Sequence, residues 1–374
     1  MHFDHIVVGI GGMGSAALRA LALRGQRVLG IEQFKIAHDQ GSSHGHSRII
    51  RLAYNEHPDY VPLLRRAFGL WAEIQDEYGE RLFVQTGGLD VGPAAGRVVQ
   101  GALAACKTHA LDHECLEAGD IGRRFAGIRV PSDYAAVFHQ EAGYLDPEAC
   151  ITAMAQSAVR HGATLKEGEE ILSLSMHDQG CEVVTNRDRY TSDGLVLTAG
   201  AWSSRLLPRL KALAIPERQV VGWFDPAEPS AFGADRFPVF ILDSHLGEYY
   251  GFPIDARGRG FKIGRYHHLE EQVDLSAPML EPGGADEALL RQAISAYFPD
   301  ANGPLQRMQT CMFTNSPDGH FIIDRDPGDQ RLAFGAGFSG HGFKFACVVG
   351  ELLSELACEP DKNPLPLFSL ARFE

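Results

Sequence analysis

Three clusters of residues carry the types and spacing that chemistry needs. The first is His44-Gly45-His46-Ser47-Arg48-Ile49-Ile50-Arg51. Arg48 and Arg51 are three apart, which on a helix would set them along one face. Two like charges so placed repel unless an anion sits beside them. Ile49, Ile50, Leu52 and Ala53 make a solvated basic face a poor explanation. A partly buried arginine pair wants a carboxylate, a phosphate or the electron-rich edge of a bound ring. The second cluster is Phe338-Ser339-Gly340-His341-Gly342-Phe343-Lys344-Phe345. Gly340 and Gly342 let backbone approach a ligand, and Lys344 sits between two phenylalanines, unusual for a solvent lysine unless its stem covers apolar surface. The third is Met308–Thr314 with Asp318–Asp324, which contains Cys311. Taken alone, Cys311 reads as a core thiol.

These clusters need a scaffold. His5–Val8 is a short β-branched run, followed by Gly9-Ile10-Gly11-Gly12-Met13-Gly14 and an Ala/Leu-rich helical stretch that stops at Gly25. A second strand, Gln26–Ile31, ends at Glu32. This strand, glycine turn, helix, strand and acid reads as a dinucleotide-binding unit. Gly9 permits the tight turn, Gly11 lets backbone reach a pyrophosphate, and Gly14 lets helix and strand pack closely. The helix N-terminus offers N–H groups and a positive dipole end to the phosphates. Glu32 is placed to accept hydrogen bonds from ribose hydroxyls. This motif does not choose between FAD and NAD; the acid only disfavours a 2′-phosphate. Further strand-like pieces follow at Ala163–Leu174, Gly194–Trp202 and Arg331–Lys344, the last leading into a helix through Ala357. They suggest one sheet returning three times along the chain. The expected fold class is α/β. A Rossmann-like domain (residues 1–84, 147–213 and 318–374) is interleaved with a mainly antiparallel α+β domain (85–146 and 214–317).

Composition bounds the partners. The 374 residues are 45% hydrophobic and 22% charged, which excludes disorder and coiled coil. The formal net charge of −14 argues against nucleic acid. No apolar run is long enough to span a membrane. MHFDHIVVGIGG lacks the layout of a secretory leader, and LARFE carries no peroxisomal address. Seven scattered cysteines with no CxxC suggest neither a disulfide framework nor a zinc ribbon, so the expectation is a reduced, cytoplasmic protein without a metal.

The chain resembles the monomeric sarcosine oxidase and N-methyltryptophan oxidase family over nearly its whole length. The resemblance rests on the N-terminal GxGxxG, GSSHGHSRIIRLAY with HPDYVPL, QTCMFTNSPDGHFIID and GFSGHGFKF. It implies an FAD-dependent amine oxidase with a covalent flavin, acting as a monomer on a small N-methyl or secondary amino acid and O2. By resemblance, Cys311 forms the thioether to the flavin. Arg51 and Lys344 hold the substrate carboxylate. Arg48 and His44 lie beside the flavin ring, where positive charge helps, and such charge should also lower the Cys311 pKa. Tyr250 is an active-site tyrosine, and Lys262 activates oxygen. Further cofactor contacts are implied for Gly9, Gly11, Gly12, Met13, Gly14, Glu32, Gln33, Ser42, Ile171, Gly200, Phe338, Gly340, His341, Gly342 and Lys344. Two departures stand out. The family's substrate-facing histidine falls on Tyr266, and a one-residue insertion near Arg265 would bring His267 into register instead. Phe313 stands where the sarcosine enzyme has tyrosine, which makes the pocket more apolar.

Overall fold

Strand His2–Val8 lies at the middle of an eight-stranded sheet, flanked in parallel by Val28–Glu32 and Arg189–Leu197. A computed structural model describes residues 2–374 of the chain and supplies this geometry. Thr164–Glu167 extends the sheet on one side. Gly180–Thr185 and Ile171–His177 extend it on the other as an antiparallel hairpin. Asp329–Ala336 joins in parallel beside Leu195–Leu197 and brings Ile322–Asp326 with it. All eight strands come from residues 1–84, 147–213 and 318–374. Buried on both faces, the inner strands read as continuous apolar runs rather than alternating ones.

Helix Gly12–Leu23 follows the first strand and packs against Pro147–Arg160 and Ala346–Cys358. Close approach is possible because the contact residues are small. A Cβ on Gly350 would lie 2.5 Å from the Ala16 carbonyl carbon. That contact fixes the helix behind the Phe338–Phe345 segment relative to the helix behind the glycine turn.

The second eight-stranded sheet draws only on residues 85–146 and 214–317. It is antiparallel except for one parallel pair, Gly88–Pro93 with Val239–Ser244. One face carries a dense aromatic core of Phe224, Phe232, Phe237, Phe240, Phe261 and Phe298 under helix Gly284–Tyr297. Burying each ring contributes about 1.5–3 kcal/mol, and edge-on ring pairs such as Phe232–Phe261 at 5.1 Å stiffen the sheet from behind. The opposite face carries Tyr250, Lys262 and Cys311. A small third sheet of Arg48–Arg51, Ala142–Leu145 and Phe83–Gln85 stitches the two large ones together. No helix among the described residues is long and apolar enough to cross a membrane, and all seven cysteines are unpaired.

Candidate active site

The spacing of Arg48 and Arg51 suggested one helical face; the structure makes this segment a strand. Along a strand, positions three apart point to opposite sides. The two arginines therefore serve two different places.

Arg48 borders a long cleft that runs from the glycine turn to the Phe338–Phe343 loop. Gly9, Gly11, Gly12, Met13, Glu32, Gln33, Ser42, Ile171, Gly200, Phe338, Gly340 and Gly342 line it as well. The cleft passes three tests for a dinucleotide. First, the helix cap at Gly11 has no side-chain partner, and a Cβ there would meet nothing within 4 Å, so the opening N–H groups face space. Second, Gly14 is required for the turn itself, since a Cβ would lie 1.8 Å from the Gly9 oxygen. Third, Glu32 is buried at the end of its strand, bordering the cleft, and accepts from the amides of Ile10 at 2.7 Å and Phe34 at 3.0 Å.

Where Arg48 points, a second cation waits. Lys262 lies on strand Phe261–Arg265 and is 2% exposed. Its Nζ donates to Gly45 O at 2.7 Å, Ser47 Oγ at 2.9 Å and Ser47 O at 3.1 Å. Burial and the nearby Arg48 push its pKa well down. The three oxygens favour the ammonium against that push, since it can donate to all of them, whereas a neutral amine has two N–H bonds and would accept from the Ser47 hydroxyl. The turn that presents these oxygens is held by Glu148, which accepts from Gly45 N at 2.7 Å and His46 N at 3.1 Å. Arg48 donates to Ser42 O at 2.7 Å and Ser47 O at 2.8 Å. Among the described residues no carboxylate forms an ion pair with Arg48 or Lys262.

Cys311 belongs to this group. It sits on strand Leu305–Asn315, and Arg48 and Lys262 both act on its charge. Contrary to the expectation of a lowered thiol pKa, burial outweighs Arg48, Lys262 and Arg218 together and the net shift is upward. His44 is also corrected. Its Nδ1 accepts from Gln309 at 2.9 Å and its Nε2 donates to Gly41 O at 3.1 Å. Burial and Arg48 bring its pKa down to about 4, so the ring is neutral near pH 7 and is not a source of positive charge.

Arg51 faces the other way, toward Lys344. Both cations stand over the ring of Tyr54, at 4.8 and 5.1 Å. Lys344 donates to His341 O at 2.8 Å, and burial lowers its pKa to about 7. Arg51 is flanked by Glu56, at 2.9 Å, and Asp90, at 3.3 Å. Beside them Tyr266 packs on Tyr250 (5.1 Å between ring centroids) and on Phe313 (5.8 Å), and Phe313 also lines the cleft. Phe313 thus carries the aromatic wall to the cleft; neither Arg51 nor Lys344 lines it, and Lys344 follows directly on the cleft residue Phe343.

His267 does not reach this place. The insertion does not carry it into register. It adopts a positive φ of 52°, is exposed, and hydrogen-bonds Glu217 at 3.1 Å. Tyr266 occupies the inward position, its hydroxyl pKa raised by burial and by Glu56 and Glu248. His341 is displaced too. It lies behind the cleft, 2.5 Å from the Tyr54 hydroxyl and 2.9 Å from Gly319 O, with a pKa of about 4 from burial. It braces the loop that presents Gly340 and Gly342. Sequence reasoning missed Glu56, Asp90 and Glu148. Asp90 alone left a signal, a lone charge between the apolar residues of GLDVG.

A family model described as FAD dependent oxidoreductase matches residues 4–356. A monomeric sarcosine oxidase of Bacillus sp. (strain NS-129) is 41% identical over 377 residues, covering 99% of this chain and 97% of that protein. An N-methyl-L-tryptophan oxidase of Yersinia pestis (strain Pestoides F) is 34% identical over the full length of both. Among solved structures, the amino acid oxidase NikD in its open form superposes with a TM-score of 0.84 at 25% identity, covering 96% of this chain and 95% of that one.

Proposed function

The chain belongs to the FAD dependent oxidoreductases, and from that premise we propose that it oxidises the C–N bond of a small N-methyl or secondary amino acid. The products are an imine, which water cleaves to an aldehyde and an amine, and H2O2 from O2. The observation that carries this reading is the pair of buried cations, Arg51 and Lys344, set together over the Tyr54 ring, with Lys344 next in sequence to the cleft residue Phe343. Bound FAD supplies the two-electron acceptor and the route of those electrons to O2.

The residues of the chain bind, orient and shield. The first sheet and its glycine turn hold the cofactor; the second sheet supplies the substrate wall. Arg51 and Lys344 grip the substrate carboxylate, which fixes the position of the carbon next to nitrogen. Tyr250, Tyr266 and Phe313 cover the other side and exclude water. Removing water and placing cations nearby favour the neutral amine, the form with an available electron pair. Arg48 and Lys262, lacking carboxylate partners, stabilise the negative charge that builds up on the cofactor side and on reduced oxygen. Cys311 supplies the sulfur for a covalent link to FAD. We read the protein as a cytoplasmic monomer, consistent with its unpaired thiols.

A panel of sarcosine, N-methyl-L-tryptophan, glycine, L-proline, iminodiacetate and fructosyl amino acids, read by peroxide release, tests the reaction. Turnover of the N-methyl compounds supports the proposal. Turnover only with an artificial acceptor, and no peroxide in air, would make the protein a dehydrogenase. Acid precipitation tests the link. A yellow pellet that turns colourless in Cys311→Ser supports the thioether, and a colourless wild-type pellet refutes it.

A further inference from the structure

Arg51 is held by two carboxylates of different character. Glu56 lies in the loop before helix Tyr60–Tyr78, with its side chain 19% exposed, and accepts from Nη2 at 2.9 and 3.1 Å. Asp90 lies on the inner strand Gly88–Pro93 of the second sheet, with its side chain 1% exposed and 3.3 Å from Nη1. Arg51 Nη1 also donates to Ala53 O, and Nη2 to Asn55 Oδ1. The two edges of one guanidinium thus face a fixed strand and a partly open loop.

Asp90 is unusual in its own right. Neither of its oxygens has a well-aligned hydrogen bond. Behind it stands His139, 2% exposed, with Nε2 at 3.5 Å and neither ring nitrogen otherwise bonded. A carboxylate buried in this way is costly unless nearby charge balances it. Arg51 is the charged group that does so, with the His139 ring packed behind, and Asp90 also acts on Lys344 across the same space.

We propose that Asp90, backed by His139, is a positioning residue for substrate recognition: it anchors Arg51 by Nη1 so that Nη2 is free to pass from Glu56 to the substrate's carboxylate. This rests on the reading of Arg51 and Lys344 as the carboxylate clamp. The two acids have opposite effects. Glu56 and the substrate compete for the same nitrogen, so Glu56 opposes binding. Asp90 acts on both competitors alike through its charge. Its net contribution is to stop the guanidinium from following Glu56 away from the site.

The test is acetate binding to the flavin-loaded protein, followed by calorimetry and by the change in the visible spectrum. Glu56→Gln is expected to tighten acetate by about tenfold and Asp90→Asn to weaken it by about tenfold. Asp90→Asn should also raise KM for an N-methyl amino acid with kcat within about twofold, and leave KM for an N-methyl amine without a carboxylate unchanged. A disturbance of the fold would move both substrates together. Should Asp90→Asn fail to retain flavin, His139→Leu carries the test, with weakening in the same direction by about threefold. If both acids merely neutralised Arg51, removing either would tighten acetate. Tighter or unchanged binding in Asp90→Asn, with Arg51-dependent binding intact in the wild type, overturns the inference alone. Acetate binding that is absent, or indifferent to Arg51→Ala, overturns the clamp and the inference with it.

Discussion

The two cationic centres of this molecule are built oppositely. Around Lys262 and Arg48 the oxygens within reach are neutral, from Gly45, Ser47 and Ser42. Around Arg51 two carboxylates already stand in place. In the proposed reaction, a cation with no ion-paired carboxylate is held in readiness for charge that develops as the substrate is oxidised. A cation with exchangeable counter-ions is suited to trading one carboxylate for another. On the proposed function, the difference separates chemistry from recognition, although one four-residue strand supplies an arginine to each.

If that division holds, substitutions should sort by it. Lys262→Met removes the unpaired charge and is expected to slow reoxidation of the reduced enzyme in air by about 10²-fold or more, with substrate affinity little changed. Stopped-flow mixing with O2 measures this, and reoxidation at the wild-type rate would erase the contrast. Arg51→Ala should act in the reverse sense. It should raise KM for carboxylated substrates by about 30-fold or more, with reoxidation untouched.

Titration sharpens the recognition side. Lys344 has a pKa of about 7 in the ligand-free protein, lowered by burial. Below that pH it carries its proton and attracts a carboxylate; above it the charge is lost. Carboxylate affinity should therefore fall by up to about tenfold per pH unit as pH rises above 7. A bound carboxylate raises the Lys344 pKa, so binding above pH 7 should draw a proton from the buffer. Calorimetry in buffers of different ionisation enthalpy reads that uptake directly. The smallest effect is expected for His267→Ala, below about twofold in KM and kcat, because this ring faces solvent and Glu217.

Much of the cofactor half was legible because its signals are local. The glycine turn, its helix and Glu32 occupy a short stretch in which each residue's job follows from its own backbone. The opposed roles of Arg48 and Arg51 were hidden, since their spacing alone cannot separate helix from strand. The clamp's counter-ions were hidden for another reason. Glu56 and Asp90 come from different segments and meet only after the second sheet forms. The exchange of Tyr266 for His267 turns on register at a strand end: the strand stops at Arg265, Tyr266 keeps the inward position, and His267 turns outward with a positive φ. His44 misled because a histidine among cations was read by type, whereas burial leaves it neutral.

The most direct measurement is anaerobic mixing of the purified enzyme with an excess of an N-methyl amino acid while the visible flavin absorbance is recorded. The colour is expected to bleach, and admitting air to restore it with one H2O2 formed per substrate consumed. Absorbance unmoved by every N-substituted amino acid tried, in protein that carries its full complement of flavin, would contradict the proposed function.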